Sequence, residues 1–295
     1  HQAILFLDAD LEQSPDVDSP GERWAQPIQF SLGRAAVRID IVDSERFLNL
    51  SRLVNDKGEP HPAAAEQLRR LCRALRHPPD LADRILDYID SDSQGEFESR
   101  ARNERLYNLE ELLRIEGVSP EAVYGGREGE EERKGIREFL TIWPRKAAAK
   151  GGTTEGPSLV NVNTAPSEVL QSLHDQMTPG LAEAIVTWRT TPGADGRPRE
   201  FQKAEDLKKV SGVSDDLLTR ISDQITVKSS TYEIRVRSSV GNVEKAWTYV
   251  VRRGAPPAPA PPAPGTEPAK AAGHTLLEAR PLNDFITVKP PEIEK

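Results

Sequence analysis

The sequence predicts an α+β protein in which a small antiparallel sheet is interrupted by a long helical region. Apolar and polar side chains alternate over residues 35–41, which is the period-two pattern of a half-buried strand. The same alternation returns over residues 232–236 and 247–251, with a Gly-Asn hairpin-turn signal at 241–242 between them. Because the first strand has no good partner nearby in the sequence, we expect it to pair with this distant hairpin.

The residues between these strands carry helical patterns. Ser119 followed by Pro120 is a helix-start signal, and residues 159–225 are dense in apolar positions with helical spacing. Residues 125–135 and 146–157 are rich in glycine and charge, which predicts exposed loops. The clearest helical stripes are Leu68, Leu71, Cys72 and Leu75, followed by Leu81, Ile85 and Ile89.

These patterns divide the chain into four regions. Residues 1–58 hold the remnant of an N-terminal helix and the first strand, and residues 59–225 form an inserted α-helical domain. Residues 226–253 hold the C-terminal strands of the sheet. Residues 254–295 begin with a tract of alanine and proline that packs no core, so we expect a flexible tail.

Composition and charge argue against several classes of function. The formal net charge of −8 disfavours a nucleic-acid partner, because phosphate binding needs a surplus of Lys and Arg. The single cysteine, Cys72, excludes an internal disulfide and is expected to be a small buried side chain. The five histidines are scattered, and the sequence contains no nucleophile elbow, phosphate loop or dinucleotide fingerprint. We therefore predict that the protein is not an enzyme.

Two stretches, residues 163–189 and 207–221, have the outline of helix-hairpin-helix repeats. In DNA-binding versions, the amides of a glycine turn face a phosphate. Here Ser214 takes the place of the second turn glycine, and Asp215 and Asp216 follow it with charges that would repel phosphate. The pattern favours a structural use of both repeats. A DNA-binding protein of the competence-receptor type is the alternative function.

An acidic loop over residues 87–98 is a candidate metal site. Asp90, Asp92 and Gly95 match the first half of an EF-hand loop, but the twelfth position, a bidentate Glu in EF-hands, is Ala101. An EF-hand is therefore not supported. The density of hard oxygen ligands leaves two interpretations open, a calcium site and a solvated acidic loop.

Five segments with recognisable motifs follow one another along the chain, after Trp24-Ala25. They are residues 39–53 (IDIVDSERFLNLSRL), 87–92 (DYIDSD), 95–96 (GE), 103–112 (NERLYNLEEL) and 161–165 (NVNTA). In this order they resemble the general secretion pathway protein K family, the K-class minor pseudopilins of type II secretion. The resemblance covers roughly residues 18–253, and the order of the segments is more specific than any single one of them.

The resemblance implies a pilin-like antiparallel sheet on an N-terminal helix, with a large helical domain inserted. It implies a structural role at the tip of the pseudopilus, on the periplasmic face of the inner membrane. The implied partners are the I- and J-class minor pseudopilins and the secreted cargo. Contact with the membrane is expected only through a prepilin leader and hydrophobic segment upstream of His1.

The resemblance also implies that calcium binds in the helical domain. The residues that match the family's acidic motif are Asp90, Asp92 and Glu96, with Glu98 as a neighbour. A bulky inserted domain would clash with a filament subunit stacked above it. For this reason the family resemblance predicts a subunit that initiates and caps the filament.

Overall fold

The computed structural model describes residues 2–14, 16–55, 57–92, 94–128, 131–144, 159–194, 196–253 and 275–281. It contains both helices and an antiparallel sheet, so the predicted α+β class is confirmed. The chain forms two compact units. Unit 1 comprises His1–Asp10, Arg23–Val42 and Tyr232–Lys295, and unit 2 comprises Leu11–Glu22 and Asp43–Thr231.

The α-helices are α1 (Gln2–Gln13), α2 (Pro62–Ala74), α3 (Leu81–Ile89), α4 (Pro120–Tyr124), α5 (Ser167–Ser172), α6 (Pro179–Thr190) and α7 (Asp215–Ile221). The strands are β1 (Ile28–Leu32), β2 (Ala35–Asp43), β3 (Leu48–Asn49), β4 (Gly125–Glu128), β5 (Glu131–Lys134), β6 (Leu140–Thr141), β7 (Val160–Asn161), β8 (Ile225–Thr226), β9 (Thr231–Val240), β10 (Val243–Arg252) and β11 (Thr275–Pro281). Short 3₁₀ helices, including Glu98–Arg100 and Ala204–Lys209, connect several of them. No helix in the described ranges combines the length and the apolar character needed to cross a bilayer.

Unit 1 contains a five-stranded sheet in the order β1-β2-β9-β10-β11. β2 and β9 are therefore neighbours, as predicted from the distant alternating segments. Gly241, with a φ of +56°, lies in the turn between β9 and β10. A positive φ is easily adopted by glycine, which suits this position in a tight hairpin.

The core of unit 1 packs α1 with one face of the sheet. The ring centroids of Trp24 and Tyr232 lie 5.2 Å apart in an edge-to-face arrangement. Because side chains alternate across a strand, every second residue of β2 and β9 points into this core. The buried members are Ala3, Leu7, Trp24, Ile39, Ile41, Tyr232, Ile234 and Val251.

The larger part of unit 2 lies, in the sequence, between β2 and β9, whereas Leu11–Glu22 precedes β1; most of the regular structure of unit 2 is helical. In α2, a ring nitrogen of His61 caps the helix by accepting a hydrogen bond from the Ala64 amide, at 3.3 Å. The predicted stripes of α2 and α3 are buried. Unit 2 also contains three two-stranded ladders that were not predicted, namely β3-β6, β4-β5 and β7-β8.

Two segments differ from the sequence-based expectation. Residues 125–135, predicted to be an exposed loop, include the antiparallel strands β4 and β5. Residues 275–281, predicted to belong to a flexible tail, form β11, which pairs antiparallel with β10 because an edge strand offers unpaired backbone groups. The predicted loop at 146–157 and the proline-rich tract lie outside the described residues, and the predicted domain bounds stay a prediction.

Candidate functional site

The end of α3 brings two carboxylates to one side of the helix. Asp87 and Asp90 are three residues apart, and residues at this spacing are neighbours on a helix surface. Asp90 is the C-terminal capping residue, and its amide donates to the carbonyl oxygen of Leu86 at 2.9 Å. The buried side chains of Ile85 and Ile89 hold the helix in the core of unit 2.

The loop after α3 supplies a third carboxylate. Glu98 begins a short 3₁₀ helix, and one oxygen each of Asp87, Asp90 and Glu98 lies within 4.8 Å of the others. Gly95 allows this loop to approach α3, since a Cβ at this position would lie 2.0 Å from Asp87 Oδ2. Carboxylate oxygens are the ligands that calcium prefers, so this acidic cluster of Asp87, Asp90 and Glu98 is the candidate metal site.

The hydrogen bonds of the acidic cluster are incomplete. Asp90 is 3% exposed, and its Oδ1 atom has no hydrogen-bond partner among the described residues. The same holds, within the described ranges, for both carboxylate oxygens of Glu98. Asp87 Oδ2 accepts a hydrogen bond from the Phe97 amide at 2.9 Å. A buried carboxylate oxygen without a partner is costly, and a bound cation would satisfy it, so these residues fit a divalent cation.

The electrostatics of the acidic cluster also favour a bound cation. Burial, first of all, and the negative charges of Asp92, Glu98 and Asp87 together raise the pKa of Asp90 to about 7. A proton or a divalent cation bound among these carboxylates would relieve their mutual repulsion.

The four ligands suggested by the family resemblance are placed differently by the structure. Asp90 and Glu98 meet in the acidic cluster, together with Asp87, which had not been proposed as a ligand. Asp92 is half-buried and its Oδ1 atom accepts a hydrogen bond from the Gln94 amide at 2.8 Å. Glu96 is exposed and lies outside the group of three. The three-residue spacing of Asp87 and Asp90 was the signal that could have identified Asp87.

The helix-hairpin-helix repeats offer little free positive charge. In the second repeat, Gly212 has a φ of +98° and Ser214 caps α7. Lys208 forms an ion pair with Asp215 at 2.6 Å. Arg220 pairs with Asp216 at 2.9 Å. Basic groups that bind phosphate in DNA-binding versions are here neutralised by neighbouring carboxylates.

A second polar cluster in unit 2 is fully buried and centred on Asn161. The side-chain nitrogen of Asn161, Nδ2, donates to the Asp18 carbonyl oxygen (3.0 Å), Asp43 Oδ2 (3.1 Å) and Ser229 Oγ (2.9 Å). Thr164 Oγ1 lies 2.5 Å from the same Asp43 oxygen. These bonds join chain segments that are far apart in the sequence. The cluster is satisfied by hydrogen bonds, so it serves the fold.

The neighbours of Asn161 extend this network. The Asn163 side chain accepts from the Phe201 amide at 2.8 Å and donates to the Phe201 carbonyl oxygen at 3.0 Å. The buried guanidinium of Arg189 donates to the carbonyl oxygens of Val162 and Ala165. The segment 161–165 is therefore held from several sides, and its three polar side chains, Asn161, Asn163 and Thr164, are buried because they have hydrogen-bond partners there.

Comparisons with known proteins agree with these features. Two family models match the chain, over residues 46–124 and 160–228, and both are described as protein K of the type II secretion system. The chain belongs to this protein K family. The first match contains the acidic cluster, and the second contains Asn161 and the helix-hairpin-helix repeats. The family predicted from the ordered motifs is confirmed.

The fold of this protein K chain also has a counterpart among solved structures. A chain in the crystal structure of the GspK–GspI–GspJ complex from the enterotoxigenic Escherichia coli type 2 secretion system matches with a TM-score of 0.64. The match covers 95% of this chain and 91% of that chain at 15% sequence identity. At this identity the likeness concerns the fold, and it agrees with the α+β architecture. A protein K chain is a structural component of the secretion apparatus in the cell envelope.

One curated relative is similar to part of the chain. ComE operon protein 1 of Bacillus subtilis (strain 168) is 41% identical over 71 residues. The matched residues make up 24% of this protein K chain. They correspond to 31% of the length of the relative.

Proposed function

We propose that this protein K chain is a minor pseudopilin that acts at the tip of the type II secretion pseudopilus and has no enzymatic role. The observation that carries this proposal is the insertion of residues 44–230, the larger part of unit 2, in the sequence between the neighbouring strands β2 and β9. A second compact unit of this size would prevent a further filament subunit from stacking above. Such a subunit would end the filament, and so it would initiate assembly and contact exported protein.

The partners proposed for this chain are the I- and J-class minor pseudopilins. GspK, GspI and GspJ form one complex in the solved structure, and the similar fold supports the transfer of this assembly. The proposed location is the periplasmic face of the inner membrane.

A pull-down of the full chain with I- and J-class minor pseudopilins, with and without chelator, tests this function. We expect a ternary complex at micromolar concentration. Failure to bind either partner in calcium and in chelator would contradict the proposal.

We further propose that the acidic cluster binds calcium. Its support is the buried, unpartnered Asp90 Oδ1 atom beside the Glu98 carboxylate, within the described residues. Calorimetric titration with Ca²⁺ should show affinity lowered at least about tenfold in Asp90→Asn and Glu98→Gln, because each change removes one charged ligand. Glu96→Gln is the matched control, since Glu96 is exposed and outside the cluster. Equal affinities in all four proteins would contradict the site.

The local similarity to ComE operon protein 1 favours one rival, a DNA-binding protein that uses the helix-hairpin-helix repeats. The ion pairs around Lys208 and Arg220 argue against it. A gel shift with duplex DNA at several salt concentrations discriminates the two functions. We expect no binding at physiological salt, and micromolar binding there would favour the rival.

A further inference from the structure

The loop that carries Glu98 is fastened to unit 2 on both sides of this residue. Before it, the guanidinium carbon of Arg84 lies 3.9 Å from the ring centroid of Phe97. After it, Ser99 Oγ donates to Glu116 Oε2 at 3.2 Å, and Arg100 Nε lies 3.7 Å from the same oxygen. These contacts hold the loop on both sides of Glu98, whose carboxylate oxygens accept no hydrogen bond from the described residues.

Arg84 is itself held by neighbours from two directions. Its Nε atom donates to Asp80 Oδ2 at 2.7 Å, one helical turn earlier. Its Nη1 atom donates to the Glu116 carbonyl oxygen at 2.7 Å. Gly117 leaves space for it, since a Cβ there would lie 2.5 Å from Arg84 Nη1. The planar guanidinium is thus fixed in one orientation beside the Phe97 ring.

These contacts oppose an electrostatic repulsion. The carboxylates of Asp87, Asp90 and Glu98 approach within 4.8 Å, where like charges repel strongly away from bulk water. The Phe97 amide also donates to Asp87 Oδ2. A contact that holds Phe97 therefore holds the acceptor Asp87 and the adjacent residue Glu98 at the same time.

We propose that Arg84 and Phe97 form a clamp that positions the carboxylates of Asp87 and Glu98 for a divalent cation. This inference rests on the calcium site proposed above. Arg84 is a positioning residue, because it acts on the cluster through Phe97. A site whose ligands are already placed loses less freedom when the ion binds. Loss of such supporting contacts lowers metal affinity about 10–100-fold in other sites.

The test uses the full chain with Arg84→Ala and, separately, Phe97→Leu, which keeps apolar bulk but removes the ring. Arg220→Ala is the matched control, because Arg220 also pairs with an Asp four residues earlier on a helix. Ca²⁺ affinity is measured by calorimetry. Hydrogen exchange of the Phe97 amide is measured in chelator, and it reports the clamp without any metal.

We expect both clamp variants to lower Ca²⁺ affinity about 10–100-fold and to speed exchange of the Phe97 amide, with Arg220→Ala changing neither. Unchanged exchange in the clamp variants would overturn the clamp. Faster exchange with unchanged affinity would overturn its positioning role. If the unmodified chain binds no Ca²⁺, the calcium site itself fails, and so does the positioning role. Should Arg84→Ala fail to fold, Phe97→Leu decides the outcome.

Discussion

Glu45 carries a carboxylate that is largely removed from water. The residue is 8% exposed, and its Oε1 atom accepts hydrogen bonds from the Ser230 amide (3.0 Å) and hydroxyl (2.7 Å). Burial, first of all, and the nearby negative charges of Asp43 and Asp18 together raise the pKa of Glu45 to about 7. Burial likewise raises the pKa of Asp43. The raised pKa values predict that the stability of unit 2 depends on pH.

The Glu45→Gln variant tests this link. The folded state holds the Glu45 proton more tightly than the unfolded state does. The protonated Glu45 side chain therefore contributes fully to stability below about pH 4.3, where it is protonated in both the folded and the unfolded state. This contribution is lost as the pH rises through 7, where the folded protein must ionise Glu45. We expect the free energy of unfolding of Glu45→Gln, relative to wild type, to increase from pH 5 to pH 8 in urea titrations. Glu205→Gln is the control, because Glu205 is exposed to solvent. Parallel profiles of unfolding free energy against pH for Glu45→Gln and wild type would contradict the link.

At the scale of elements, the β4–β5 hairpin depends on a close approach between backbone segments. A Cβ at the buried Gly135 would lie 2.3 Å from the Tyr124 carbonyl carbon and 2.4 Å from the Gly125 amide nitrogen. Gly125 itself has a φ of +85°. The glycines that made residues 125–135 look like a loop are thus the residues that let two strands and α4 meet.

The prediction for this element compares two glycines. Gly135→Ala should lower the free energy of unfolding by about 1–3 kcal/mol, because the added methyl overlaps backbone atoms. Gly180→Ala should raise it by about 0.5 kcal/mol, since Gly180 lies in α6 and a Cβ there meets nothing within 4 Å. Urea unfolding measures both. A neutral Gly135→Ala would show that the hairpin can shift away.

Other elements were predictable from the sequence because their signals are local. The stripe of α2 and the alternation of β2 follow from one periodicity each, and Ser119 caps α4 as its Ser-Pro signal indicates. The two-residue ladder β7-β8 has no such signal, because each strand is too short to show a period. Asp87 was not predicted as a candidate ligand, because its proximity to Glu98 depends on the path of the loop between them.

At the scale of the whole molecule, β2 and β9 are sheet neighbours although Asp43–Thr231 belong to unit 2. The hydrogen bonds between Glu45 and Ser230 bring the entry and exit of this unit close together. A short linker can therefore join β2 to β9 directly.

Replacing residues 44–230 with a short glycine-serine linker tests the steric account of tip location. We expect the shortened chain to enter the filament internally, because it lacks the residues that are proposed to prevent stacking. Immunogold labelling of assembled pseudopili, with the full chain as control, measures its position. A shortened chain that still labels only filament ends would contradict the steric account.

The sequence by itself determined the α+β class, the distant strand pair and the family, because periodicities and ordered motifs are properties of the linear chain. Only the tertiary structure decided that Arg84 lies beside Phe97, that Asp87 joins Asp90 and Glu98, and that Asn161 bonds to Asp18 and Ser229. The physical reason is that burial and close approach depend on which remote segments share one core. The local periodicity of the sequence does not show which remote segments pack together.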